Sequence, residues 1–272
     1  MTRGGVGRTA RRWARRNQAA VPEQVRNALA GRLPGWLVDK VPRDHRESDA
    51  AFRRRRRVTA GVSLAGATLL GVSLSQEPDS PAFYGLTLGV AGTWIAGGVA
   101  SGPLHLGWMQ SPTDTLRRPL LTPVLAGVGA FGLFYGAALV ARRIAPLDAA
   151  ITRVLRYAHQ GKPGLVLTTA LANGVAEEVF FRGALYAAVG AQAPVAKSTA
   201  VYALATVATR NPALVLASLP MGLLFALQRR ASGGIQAPVL THLTWSVLML
   251  RHLPPLFRDR PSIAVPAPAE GT

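Results

Sequence analysis

Glu177, Glu178 and Arg182 are the only charges in Leu165–Val189, a 25-residue stretch that is otherwise apolar or uncharged. Glu177 stands twelve residues from either end. At about 1.5 Å per residue that is roughly 18 Å from each end of a helix, near the middle of a bilayer. An ionisable group at that depth is costly and is a functional candidate for that reason. Glu178 and Arg182 are spaced i,i+4 and pair on one helix face. Glu177 is turned by about 100° from Glu178 and can face a different cavity. The spacing suggests a division of labour: Glu178–Arg182 as a structural ion pair, Glu177 free to act on water. Two bland readings stand beside it, three charges that brace a bundle or a neutral Glu hydrogen-bonded in the core.

A second candidate lies near the C-terminus, in Thr241, His242, Trp245 and Ser246. His242 and Ser246 share a helix face. A histidine can ligate a metal or move a proton, or pack in a core. Glu and His are zinc ligands of the right type, and hydrolytic zinc sites keep one position open for water. A third set, Tyr202, Thr206 and Arg210, also repeats at i, i+4 and i+8 but is ordinary for a bundle wall. The chain has no cysteine, which excludes disulfides, a thiolate nucleophile and Cys-based zinc sites.

The elements that must hold these side chains read as membrane helices. Charge-free runs cover Val58–Ser75, Pro81–Gln110, Pro119–Ala141, Asn211–Gln228 and Ala231–Leu250, and Ser198–Thr209 is a shorter one. About 20 apolar residues cross the hydrocarbon core as a helix, and lipid leaves the backbone no other open form. Mean hydropathy is +0.21 and charged residues are 16% of 272, against about 25% in soluble domains. The expected fold is all-α, a polytopic integral-membrane helical bundle of about seven spans (six to eight) with a basic N-terminal tail. Gly85/Gly89, Gly98/Gly102 and Gly132/Gly136 have the spacing that lets helices approach closely.

The formal net charge is +18, and the first 57 residues hold 16 basic and five acidic residues. Arg53–Arg57 directly precedes the first apolar run, which reads as a contact to anionic lipid headgroups and places that end in the cytoplasm. Nucleic acid is not an expected partner, because no compact binding motif accompanies the basic block. No signal peptide is read, since the first long apolar stretch begins at Val58. Residues 1–57 are expected to be a partly disordered cytoplasmic tail with Val21–Val38 a surface helix, 58–162 helices plus an interfacial segment, 163–254 the functional core, and 255–272 a Pro-rich tail. With the N-terminus inside, Arg142–Lys162 falls outside although it carries five basic residues. Either a span count is off or Leu147–His159 is an interfacial amphipathic helix.

The run Ala176-Glu177-Glu178-Val179-Phe180-Phe181-Arg182-Gly183 resembles the EExxxR motif of the CPBP family, intramembrane proteases related to the type II CAAX prenyl endopeptidases and, in bacteria, to bacteriocin-processing and immunity proteins. Ala237-Pro238-Val239-Leu240-Thr241-His242 resembles the third motif of that family, a His followed four residues later by Asn or Asp. Gly222–Arg230 with Gly233-Gly234 is similar to the stretch that links the second and third motifs. The resemblance covers about Gly164–His252, a third of the chain.

It implies that Glu177 is the catalytic acid/base or a metal-bound glutamate, with Glu178 and Arg182 its motif neighbours and His242 a metal ligand or proton relay. Zinc or another divalent metal is the implied cofactor, on Glu177 and His242. The second motif, an aromatic followed four residues later by His, is matched by Tyr202 but has Thr206 in place of the His. Ser246 stands where Asn or Asp is expected. Thr is a poor zinc ligand, so Glu178, His159 or His252 would have to complete a metal set. The implied function is a membrane peptidase with a glutamate-activated water, located in the plasma membrane of a bacterium, with a peptide or membrane-protein substrate. The alternatives are a catalytically degenerate relative that binds membrane peptides or proteins, and a small transporter, which would also place carboxylates at mid-membrane.

Overall fold

The computed structural model describes residues 48–110, 115–190 and 192–257. The tail up to residue 47, with the expected Val21–Val38 helix, and the tail from 258 lie outside the described residues. The described residues form eight helices: α1 (Asp49–Ser73), α2 (Pro81–Ser101), α3 (Leu121–Ala141), α4 (Ala145–Gln160), α5 (Pro163–Glu177), α6 (Pro194–Val207), α7 (Pro212–Ser232) and α8 (Gln236–His252). A π-helical segment, Glu178–Leu185, and a last turn, Tyr186–Ala188, continue α5. A two-residue antiparallel pair, β1 (Met109–Gln110) with β2 (Leu116–Arg117), joins α2 to α3.

Local sequence sets the helix starts. Ser48, Ser80 and Asn211 cap α1, α2 and α7 through their side-chain oxygens, which satisfies amide groups that have no partner inside the helix. Pro81, Pro163, Pro194 and Pro212 begin their helices, where a missing N–H costs nothing. The basic block expected as the end of a tail is instead part of α1. Arg53, Arg54, Arg56 and Arg57 are exposed, whereas Arg55 is buried and donates to Ser101 Oγ at 3.3 Å.

Contacts between helix ends establish how the chain runs. The start of α1 meets the end of α2 through Arg55 and Ser101. The loop after α2 pairs with the α7–α8 junction, Trp108 N to Ser232 O at 2.8 Å and Gln236 N to Leu106 O at 2.9 Å. At the opposite end, Lys162 N donates to Tyr84 Oη at 3.0 Å, and Asn211 Nδ2 to Ala150 O at 2.7 Å. Seven of the described helices therefore alternate in direction between the two ends, and α4 lies across the end holding Leu74, Gln76 and Pro254. Its Tyr157 hydroxyl donates to Leu74 O and Gln76 O, and burial lifts that phenol above its usual range. Among the described residues four helices are long and apolar enough to span a membrane: Pro81–Ser101, Leu121–Ala141, Pro163–Ala188 and Pro212–Ser232.

The core sits around the helix that carries the paired glutamates. Val90, Ala91 and Trp94 of α2 pack on Ala176, Phe180, Phe181, Ala184 and Leu185. Trp94 stacks on Phe180 with ring centres 4.6 Å apart. The expected glycine seams are only partly used. Gly85, Gly89, Gly132 and Gly136 face open space among the described residues, whereas Gly98 meets Val179. The closest approaches fall elsewhere: Gly66 lies under the Trp94 ring and Gly97 under Val62. Gly66→Val is expected to cost about 1–3 kcal/mol by overpacking, read as a lower unfolding midpoint in detergent.

Candidate active site

Glu178 is fully buried, and its Oε1 accepts two bonds, from Arg182 Nη1 at 3.2 Å and from His242 Nδ1 at 3.0 Å. The i,i+4 pair read from the sequence is present, and the histidine of the last helix joins it. The helix changes to π geometry at Glu178. The wider turn rotates everything after it relative to a regular helix, and such bulges are frequent at functional sites. Glu178 Oε2 and Arg182 Nε are buried with no hydrogen bond among the described residues.

Arg182 is held on several sides. Its guanidinium carbon lies 4.5 Å from the Tyr202 ring centre and 5.0 Å from that of Phe225. Nη2 donates to Gly222 O at 3.4 Å, and its backbone carbonyl accepts from Arg229 Nε at 2.7 Å. Phe225 also stacks on His242, with ring centres 4.8 Å apart at 20°. Thus α7 clamps both partners of Glu178. Phe225 and Arg229 were not singled out in the sequence. Arg229 ends a charge-free run, which is a faint signal, but an apolar Phe in an apolar helix gives none.

Glu177 has a separate setting. It is half-buried, and its Oε2 accepts from the Tyr202 hydroxyl at 2.8 Å. Oε1 has no hydrogen bond among the described residues. His242, Glu178 and Arg182 all lie within electrostatic reach of this carboxylate. With Nδ1 engaged by Glu178, a neutral His242 presents Nε2 as an acceptor. The site lies between α5, α6, α7 and α8. His242 stands six residues into α8, about 9 Å from its start, on the side of the bundle that holds Arg55 and the β1–β2 hairpin.

The supporting residues behave differently. Thr206 is buried in the last turn of α6, and its hydroxyl donates to Tyr202 O at 2.9 Å. Ser246 is buried one turn beyond His242. Neither bonds to a carboxylate of the site among the described residues. His159 sits 3.1 Å from Pro254 O and His252 packs on Phe131, both at the far end of the bundle. A hydrolytic zinc site uses three protein ligands and a water. Here Glu178 Oε1 is committed to Arg182 and His242, Glu177 Oε2 to Tyr202, and among the described residues no three His, Asp or Glu side chains gather. This donor set does not fit the expected metal on Glu177 and His242.

Removing one member of a buried ion pair leaves an uncompensated charge and costs about 3–5 kcal/mol. Glu178→Ala is expected to lower the unfolding midpoint in detergent sharply. Glu177→Gln, which keeps a hydrogen-bond acceptor for Tyr202, is expected to leave it near the wild-type value.

Residues 159–248 match the family described as type II CAAX prenyl endopeptidase Rce1-like. No curated protein and no solved structure matches the chain. The matched segment contains α5 to α7 and most of α8, and with them Glu177, Glu178, Arg182, Tyr202 and His242. These helices therefore form a type II CAAX prenyl endopeptidase Rce1-like domain, consistent with a CPBP-family membrane protease.

Proposed function

We propose that the chain hydrolyses a peptide bond near the membrane surface by attack of a water activated by Glu177. The observation that carries this reading is the asymmetry of the two adjacent carboxylates. Glu178 is fully buried and bonded twice through one oxygen, while Glu177 is half-buried and accepts a single bond, from Tyr202, among the described residues. In this scheme Glu177 takes a proton from water as the oxygen adds to the scissile carbonyl, then returns it to the leaving amine as the C–N bond breaks. His242, oriented by Glu178, lies close enough to relay a proton. General base catalysis of this kind contributes about 100- to 10,000-fold. Glu177→Gln and His242→Ala should each abolish cleavage of reporter peptides in proteoliposomes while the protein still folds; wild-type rates in both would remove the reading.

A second reading, a membrane peptide- or protein-binding scaffold without activity, is favoured by one observation. Thr206 and Ser246 supply no bond to either glutamate among the described residues. On that reading peptides bind and are not cut, and Glu177→Gln leaves their affinity unchanged.

The proposed location is the plasma membrane with the N-terminus in the cytoplasm. Arg53–Arg57, Arg117, Arg118, Lys197, Arg229 and Arg230 share one end of the bundle, the end preceded by the basic tail, while Arg142, Arg143, Arg153, Arg156 and Lys162 lie at the other. The tail tips the Lys/Arg balance toward the first end. The exposed arginines at the start of α1, Arg53, Arg54, Arg56 and Arg57, suit anionic headgroups. The chain has no cysteine, so a single one can report sidedness. Arg54→Cys is expected to react with an impermeant maleimide only after cells are opened, and Asp79→Cys before.

A further inference from the structure

Resting on the peptidase reading, we infer that Tyr202 is the positioning residue for Glu177, holding one carboxylate oxygen so that the other meets water. The family resemblance points to Thr206 in this part of α6, yet the Thr206 hydroxyl is turned back onto its own helix, on Tyr202 O at 2.9 Å. The group that reaches the carboxylate comes from one turn earlier, the Tyr202 hydroxyl at 2.8 Å from Glu177 Oε2.

The Tyr202 ring has little freedom to point elsewhere. The Arg182 guanidinium lies over it at 4.5 Å, and Phe181 meets it edge-on at 4.9 Å and 68°. Arg182 is itself fixed by Glu178 and by Gly222 O. A chain of contacts therefore runs from the fully buried carboxylate to the half-buried one: Glu178 sets Arg182, Arg182 sets the Tyr202 ring, and the hydroxyl sets Glu177. A charge-assisted hydrogen bond of this length fixes orientation as well as adding energy. Misplacing a catalytic group by about 1 Å can cost about 100-fold in rate. The Thr206 hydroxyl, bonded to the Tyr202 carbonyl, braces the same turn of α6 from behind.

The test uses the full chain in proteoliposomes with a fluorogenic library of lipidated and unlipidated peptides, comparing wild type, Tyr202→Phe and Glu177→Gln. Phe keeps the ring under Arg182 and removes only the hydroxyl. The expected result is a kcat about 100-fold lower for Tyr202→Phe, with KM and the unfolding midpoint unchanged, and no turnover by Glu177→Gln. If Tyr202→Phe keeps the wild-type kcat, or lowers only the midpoint, while Glu177→Gln is inactive, the positioning role is overturned and the peptidase reading stands. If Glu177→Gln retains full turnover, or the wild type cleaves nothing, the peptidase reading falls and the inference with it. Should Tyr202→Phe fail to fold, 3,5-difluorotyrosine at position 202 reads the same bond. A stronger phenol donor moves kcat if the hydroxyl positions Glu177, and an unchanged kcat overturns the inference.

Discussion

A carboxylate with no exposure to solvent, Glu178, anchors the centre of this bundle. Taking such a group out of water is costly, and the cost is offset only by good geometry with charged or hydrogen-bonding partners. Arg182 and His242 are those partners, and each is then pinned by α7, Arg182 through Gly222 and Phe225 and His242 through Phe225. One oxygen atom ties the glutamate helix to α8, and α7 packs on both of its partners. The arrangement is a structural commitment, and it explains why Glu178 is a poor candidate for the reacting base. Its neighbour in sequence, turned by about 100° on the helix, is free of that duty.

Much of the architecture was legible because membrane helices announce themselves. Charge-free runs of about 20 residues predicted the helices, and the isolated Glu177, Glu178 and Arg182 stood out by contrast. The ion pair followed from i,i+4 spacing alone, even though the helix there widens into a π segment. The basic residues of Arg142–Lys162 left two readings open, a different span count or an interfacial helix, and α4 packs at the end of the bundle that holds Leu74, Gln76 and Pro254.

Other features were hidden for physical reasons. Glycine spacing marks where a close approach is allowed, not where it happens, so Gly85/Gly89 and Gly132/Gly136 face open space while the unpaired Gly66 meets Trp94. The partner of His242 could not be read either: residues 64 positions apart meet only through the packing of α5 against α8. The link from Tyr202 to Glu177 spans 25 residues, and Tyr in an apolar helix resembles any aromatic packing residue. Nor does sequence show that Thr206 is spent on its own backbone, a habit of Ser and Thr in helices. The metal expected from the resemblance finds no group of three His, Asp or Glu side chains among the described residues.

The central claim is that water, primed by Glu177, attacks the peptide directly, with no protein hydroxyl acylated on the way. Single-turnover cleavage in heavy-oxygen water with hydroxylamine present tests it most directly. The account predicts that in the wild type the new carboxyl terminus carries heavy oxygen and that no hydroxamate forms. A peptide hydroxamate would show an acyl-enzyme on a serine or threonine and would contradict it.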